Sequence, residues 1–179
     1  MCRTYNGADI NAEPGTNPQM KDGRGNICPV TIIMPTIAME AIEEYSKNPT
    51  SSKKYPAVDI FMELLDEKIH EAKDMLIERY NYICSQRPDS AKFMYENGLM
   101  LGYDGKNIES AMKHGTLALG QIGLAETLQI LIGKNQTTKE GMELAKKIEQ
   151  LFKDKCATFK QQYKLNIGVY YTPKHSWVI

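Results

Sequence analysis

Two long stretches of this chain repeat apolar residues at steps of three and four, and they limit what it can become. Between Val58 and Ile83, the residues Val58, Phe61, Leu65, Ile69, Ala72, Met75 and Ile83 share one face, while Glu, Asp and Lys fill the other. The spacing predicts a helix of about seven turns. A second stripe, Met142, Ala145, Ile148, Phe152, Cys156, Phe159 and Tyr163, predicts another long helix, with Thr137 and Glu140 placed as a capping box at its start. Each stripe has to be buried against something, and the rest of the sequence supplies it.

Short β-rich runs alternate with these helices. "PVTIIM" reads as a buried strand, and Pro35 stands where a helix opens into "TIAMEAIEEYSKN". "KFMYENGLMLGYDGKN" reads as a short strand with Gly-rich turns, and "IESAMKHG" as a brief helix closed by Gly115. "TLALGQIG" leads into the helical "LAETLQILIG", which Gly133 terminates, and "LNIGVYYTP" reads as a last strand. Strands interleaved with helices imply an α/β fold with helices covering a mainly parallel sheet. The first 27 residues, rich in Gly, Asn, Asp and Pro, read as a long loop.

Charge excludes some functions. Lys plus Arg equals Asp plus Glu, at 22 each, without a block of one sign. Neither nucleic acid nor an anionic membrane is an expected partner. No run reaches the roughly 18 apolar residues of a membrane span, and the N-terminus has no basic region followed by an apolar one, so a cytoplasmic protein is expected.

Few residues offer chemistry by spacing alone. His70, His114 and His175 are far apart and form no ligand pair, so no metal site is expected. His70 is expected to face solvent. The glycines of "GRGN" and "GTLALGQIG" match neither a P-loop nor a dinucleotide fingerprint and read as turns, and Glu126 suits an early helical position regardless of function. Cys84 and Cys156 lie on apolar helical faces and read as core, as does Cys28 at the entry to the first strand. Cys2 differs, because Arg3, Thr4, Tyr5 and Asn6 surround it with polar, loop-like sequence, and a thiol beside a cation is the reactive kind. Composition by itself would still make it an idle terminal cysteine.

Several segments, in order, change that balance. "CRTYNGADIN", "GRGNICPVTIIMPTIAMEAI", "FMELLDEKIHEAKDMLIERY", "MYENG", "HGTLALGQIGLAETLQILIGK" and "KCATFKQQYKLNIGVYYTP" resemble the central catalytic region of the anaerobic, glycyl-radical class of ribonucleoside-triphosphate reductase. The resemblance runs to Pro173. It implies part of one half of a ten-stranded α/β barrel, with residues 1–28 as a finger loop entering it, 29–173 as strand and helix units, and 174–179 as a divergent tail. It further implies that Cys2 becomes a transient thiyl radical that takes hydrogen from the ribose, and that Asn26 hydrogen-bonds the ribose hydroxyls or the reductant. "GQIGLAET" is a possible contributor to triphosphate binding.

By the same resemblance, the substrate is a ribonucleoside triphosphate, the product serves DNA synthesis, a radical-SAM enzyme activates the protein, and the full-length enzyme is a homodimer. The glycyl radical and a four-cysteine zinc site belong to segments that this sequence does not match. The family continues on both sides of the matched region, and Lys174, His175, Ser176 and Trp177 depart from its pattern, so a piece of the reductase, inactive by itself, is expected. Its reductant and allosteric nucleotides are not legible here. A non-catalytic helical interaction module built on the two amphipathic helices, or a gene remnant, are the alternatives.

Overall fold

The computed structural model describes residues 6–47, 49 and 54–171. Its elements run β1 (Asn26–Ile33), α1 (Met34–Lys47), α2 (Ala57–Cys84), a 3-10 turn (Pro88–Ala91), α3 (Lys92–Glu96), α4 (Glu109–Met112), β2 (Thr116–Ile122), α5 (Leu124–Ile132), α6 (Lys139–Tyr163) and β3 (Asn166–Tyr171). Three parallel strands lie in the order β1-β2-β3. Helices fill both crossovers, as parallel pairing requires.

Alternation along β1 separates the two faces of the sheet. Cys28 and Ile32 are buried while Pro29, Thr31 and Ile33 are exposed. Proline donates no hydrogen bond, so Pro29 suits a strand that pairs with β2 alone among the described residues. The central strand is buried from Thr116 to Gln121. Leu117, Leu119 and Ile167 join Met34, Phe61, Leu65, Leu128, Ile148 and Phe152 in one core between sheet and helices. The predicted stripes are the faces that do this: Phe61, Leu65, Ile69 and Ala72 of α2, and Ala145, Ile148, Phe152, Cys156 and Phe159 of α6, are all buried. Met75 and Met142 lie on the margins and are exposed.

Three local expectations need correction. The segment 92–105 forms no strand; Lys92–Glu96 is a short helix, followed by turns at Gly98, Gly102 and Gly105, each with positive φ. "TLALGQI" is the central strand and not a run of turn glycines. Here small residues permit pairing on both sides, which local propensity does not reveal. The cap of α6 is one residue later than expected. The Gly141 N–H donates to Oγ1 of Thr138 at 3.1 Å, while Thr137 bonds Asn135 instead.

The loop boundary also moves. β1 begins at Asn26, inside the segment assigned to the finger loop. Cys84 is only half-buried, whereas Cys28 and Cys156 belong to the core. His70 is exposed, as expected.

Candidate functional site

Each strand opens on a polar residue, and the register sets the three side by side. Thr116 pairs with Asn26 on one side and with Asn166 on the other. This row marks the N-terminal end of the sheet, against which the loop before β1 folds.

The loop is held by its own turns and by Arg24. The Asp9 N–H donates to the Pro18 carbonyl at 2.8 Å, and the Asn11 N–H donates to Oδ1 of Asp9 at 2.9 Å, an Asx turn. The Arg24 side chain is wholly buried. Its Nη1 donates to the carbonyls of Gly7 and Met20 at 3.1 and 2.8 Å, and its Nε to that of His114 at 2.6 Å. Gly23, at φ +71°, brings the returning chain against Leu101, whose N–H donates to the Gly23 carbonyl at 2.9 Å. A side chain there would meet the Leu101 backbone, so glycine is required.

Asp9 is the centre of the buried contacts. Its Oδ2 accepts from Nδ1 of His114 at 2.7 Å, and its Oδ1 from Nδ2 of Asn166 at 2.9 Å. A carboxylate only accepts, which assigns the imidazole proton to Nδ1. Asn166 also donates to the His114 carbonyl at 3.3 Å, and its Oδ1 accepts from the Ile10 N–H at 2.9 Å. Nε of Arg24 lies 3.9 Å from Oδ2 of Asp9. Burial would raise the Asp9 pKa, but hydrogen bonds from Asn166, His114 and the Asn11 N–H, with the charge of His114, hold it below the usual carboxylate value. A cavity of about 150 Å³ adjoins the cluster, lined by Asp9, Glu13, Met20, Leu101, Gly102 and His114.

Asn6 adds a second tie. Its Nδ2 donates to the Arg24 carbonyl at 3.3 Å, and its Oδ1 accepts from the Thr116 hydroxyl at 3.1 Å. Beside it, the Thr116 N–H donates to the Gly25 carbonyl at 2.8 Å.

Of the sequence candidates, Asn26 stands in the polar row, half-buried, and its Oδ1 is shielded from solvent without a donor among the described residues. An amide oxygen so placed suits a ligand hydroxyl or N–H. Cys2 lies outside the described residues, as do Lys174, His175, Ser176 and Trp177. "GQIGLAET" occupies the opposite end of the sheet. Thr116, level with Asn26, and Gln121 are five strand steps apart, about 17 Å. At that end Gln121 donates to Glu149 at 2.5 Å, Gly123 at φ +85° makes the turn into α5, and Glu126 is exposed.

Asp9, Arg24, His114 and Asn166 were not singled out by sequence reasoning. Of these only Asn166 carries a sequence signal, since a polar residue opens every strand, in "GNICPV", "GTLALG" and "LNIGVY", where an apolar one would pack as well. Among the described residues, no group of three His, Cys, Asp or Glu side chains could hold a metal ion, and no helix is long and apolar enough to cross a membrane.

Comparison with known proteins follows the same line. A family model described as anaerobic ribonucleoside-triphosphate reductase matches residues 1–177, past the Pro173 at which the motif resemblance stops. The anaerobic ribonucleoside-triphosphate reductase of Escherichia coli (strain K12) is 24% identical over 186 aligned residues, covering 98% of this chain and 23% of that protein. A solved anaerobic ribonucleotide reductase superposes with a TM-score of 0.59 at 18% identity, over 82% of this chain and 21% of the other. The Thermotoga maritima enzyme in complex with dATP and CTP gives 0.55 at 15% identity, over 82% and 22%. At such identities the superpositions show a shared fold. The chain spans roughly a quarter of the length of these relatives.

Proposed function

The chain belongs to the anaerobic ribonucleoside-triphosphate reductase family, and we propose that it forms the part of such an enzyme that carries the hydrogen-abstracting cysteine, Cys2. The family match from residue 1 to 177 carries this reading, since it includes both "CRT" and "RGN" in their expected order.

The three strands are read as part of a ten-stranded barrel. Among the described residues, β1 and β3 each pair on one side only, leaving edges that a closed barrel would use. Ile33 and Ile122, paired in register, are 60% and 46% exposed, which is apolar surface suited to burial by further segments.

The chemistry fits the residue types. A sulfur-centred radical on Cys2 would take the hydrogen atom from the ribose 3′ carbon, converting the thiyl to a thiol and leaving a carbon radical. Loss of the 2′ hydroxyl as water would follow, with the proton supplied by the 3′ hydroxyl. Reduction by two electrons and two protons from an external donor of the formate or dithiol class, then return of the hydrogen from the Cys2 thiol to regenerate the thiyl, would complete the deoxyribonucleotide. Such exchange needs the sulfur held at contact distance and water excluded. Asn26 can orient a ribose hydroxyl without titrating, and its shielded Oδ1, which has no donor among the described residues, supports that role. A nucleoside triphosphate substrate is consistent with the Thermotoga maritima structure solved with dATP and CTP. The radical store, the zinc site, the activating radical-SAM enzyme and the dimer are carried over from the resemblance.

A direct assay tests this. Under anaerobic conditions with the activating enzyme, the chain purified by itself should give no turnover, and activity should return when the remaining reductase segments are supplied. In that complemented enzyme, Cys2→Ser should abolish deoxyribonucleotide formation. Turnover by the chain alone, or undiminished turnover by the Cys2→Ser enzyme, overturns the reading.

A further inference from the structure

Regular pairing between β1 and β2 breaks once, and the break falls beside Asn26. Asn26 pairs with Thr116 and Cys28 with Leu117, so β1 takes two steps where β2 takes one, and Ile27 is the extra residue of a β-bulge. Side chains two apart in a regular strand share a face, which would set Asn26 on the side of Cys28. Cys28 is buried with Leu117 and Ile167 in the core between sheet and helices, and Ile27 packs against that core as well. Two neighbours on one face reset the alternation. Asn26 stands instead with its partner Thr116, on the face turned away from the helices, where the Thr116 hydroxyl donates to Asn6.

Gly115, one residue before Thr116, makes room for the extra residue. A Cβ on Gly115 would lie 2.5 and 2.6 Å from Cδ1 and Cγ1 of Ile27 and 3.0 Å from the Gly25 carbonyl oxygen. Its φ is not positive, so glycine supplies space here rather than a left-handed backbone. We propose that Ile27 and Gly115 are positioning residues for Asn26, the bulge turning its amide out of the core and towards the ribose. This rests on the reading of Asn26 given above. In a regular strand the amide would be buried beside Cys28 and the core side chains, which offer it no donor of comparable strength, and the open face would lose its acceptor. Bulges are rare between parallel strands, and they commonly re-aim a side chain next to an active site.

A double-mutant cycle in the complemented enzyme, this chain with the remaining reductase segments, tests this. Asn26→Ala and Gly115→Ala should each lower kcat by about tenfold or more, because a methyl at 115 displaces Ile27 and with it the aim of Asn26. In the Asn26→Ala background, Gly115→Ala should change kcat by less than about twofold, since its effect has no other route. If Gly115→Ala does not fold, Ile27→Ala adds no bulk, slackens the bulge and takes its place in the cycle. Losses that multiply in the double variant overturn the proposal, because they make the bulge a general strut. So does a wild-type kcat in both Gly115→Ala and Ile27→Ala. Failure of the Asn26 reading itself looks different: Asn26→Ala then turns over at the wild-type rate, and the proposal falls with it.

Discussion

Nδ1 of His114 donates to the Asp9 carboxylate at 2.7 Å, joining residues 105 positions apart with both side chains almost fully buried. The contact ties the loop to the opening of the central strand, and removing either partner strands the other in a poor solvent for charge.

His114→Ala should therefore destabilise the chain by about 2–3 kcal/mol, the scale of a lost hydrogen bond to a buried charged group. A urea titration checks this through a lower midpoint at an unchanged slope. A midpoint equal to wild type would mean that the pair contributes nothing.

Acid should weaken the same cluster. The folded Asp9 pKa is depressed below its unfolded value near 3.8, so its contribution is present above that pH and is lost as pH falls through the folded value. The stability gap between wild type and Asp9→Asn should thus be widest above pH 4 and narrow as the solution is acidified. Glu140 also titrates low, at about 2, owing to hydrogen bonds from Lys134 and Lys54, but its side chain is partly open to solvent. Added salt should erase the effect of Glu140→Gln more readily than that of Asp9→Asn.

Two glycines should respond oppositely to alanine. At Gly141, in the first turn of α6, a Cβ would overlap the Asn135 carbonyl. Gly141→Ala should cost about 1–3 kcal/mol despite the better helix propensity of alanine. At Gly168 in β3 no described residue lies within 4 Å of a Cβ, and φ is not positive. Gly168→Ala should be neutral or stabilise the isolated chain by up to about 1 kcal/mol. Thermal melts of the pair provide the comparison.

Core thiols should stay silent. Burial pushes the Cys156 thiol up to about 12 and raises that of Cys28 as well. Both should resist a disulfide reagent at pH 8 in the native chain and react once it is unfolded in denaturant. Rapid native labelling of Cys156 would contradict its place in the core.

Much of the architecture was legible because helical periodicity is a local property. The stripe from Phe61 to Ala72 and that from Ala145 to Phe159 identify the buried faces of α2 and α6 before any neighbour is known. β2 escaped for the opposite reason. Ala118 and Gly120 give it little strand propensity, and it is a strand because β1 and β3 pair with it on both sides. The segment 92–105 failed likewise, since its aromatic residues suit a strand equally well, and Tyr95 and Tyr103 instead pack together with ring centroids 4.9 Å apart.

By itself, the sequence determined the α/β class, the two amphipathic helices and the family, and it marked Cys2 and Asn26 through an ordered series of motifs. Only the tertiary structure decided that Asn26, Thr116 and Asn166 form one row, that "GQIGLAET" lies at the far end of the sheet from them, and that Asp9, Arg24 and His114 meet beneath the loop. The physical reason is separation. Periodicity and turn chemistry act over a few residues, whereas the partners of Asp9 lie 105 and 157 positions away and are selected by strand register and by the need to satisfy a buried charge.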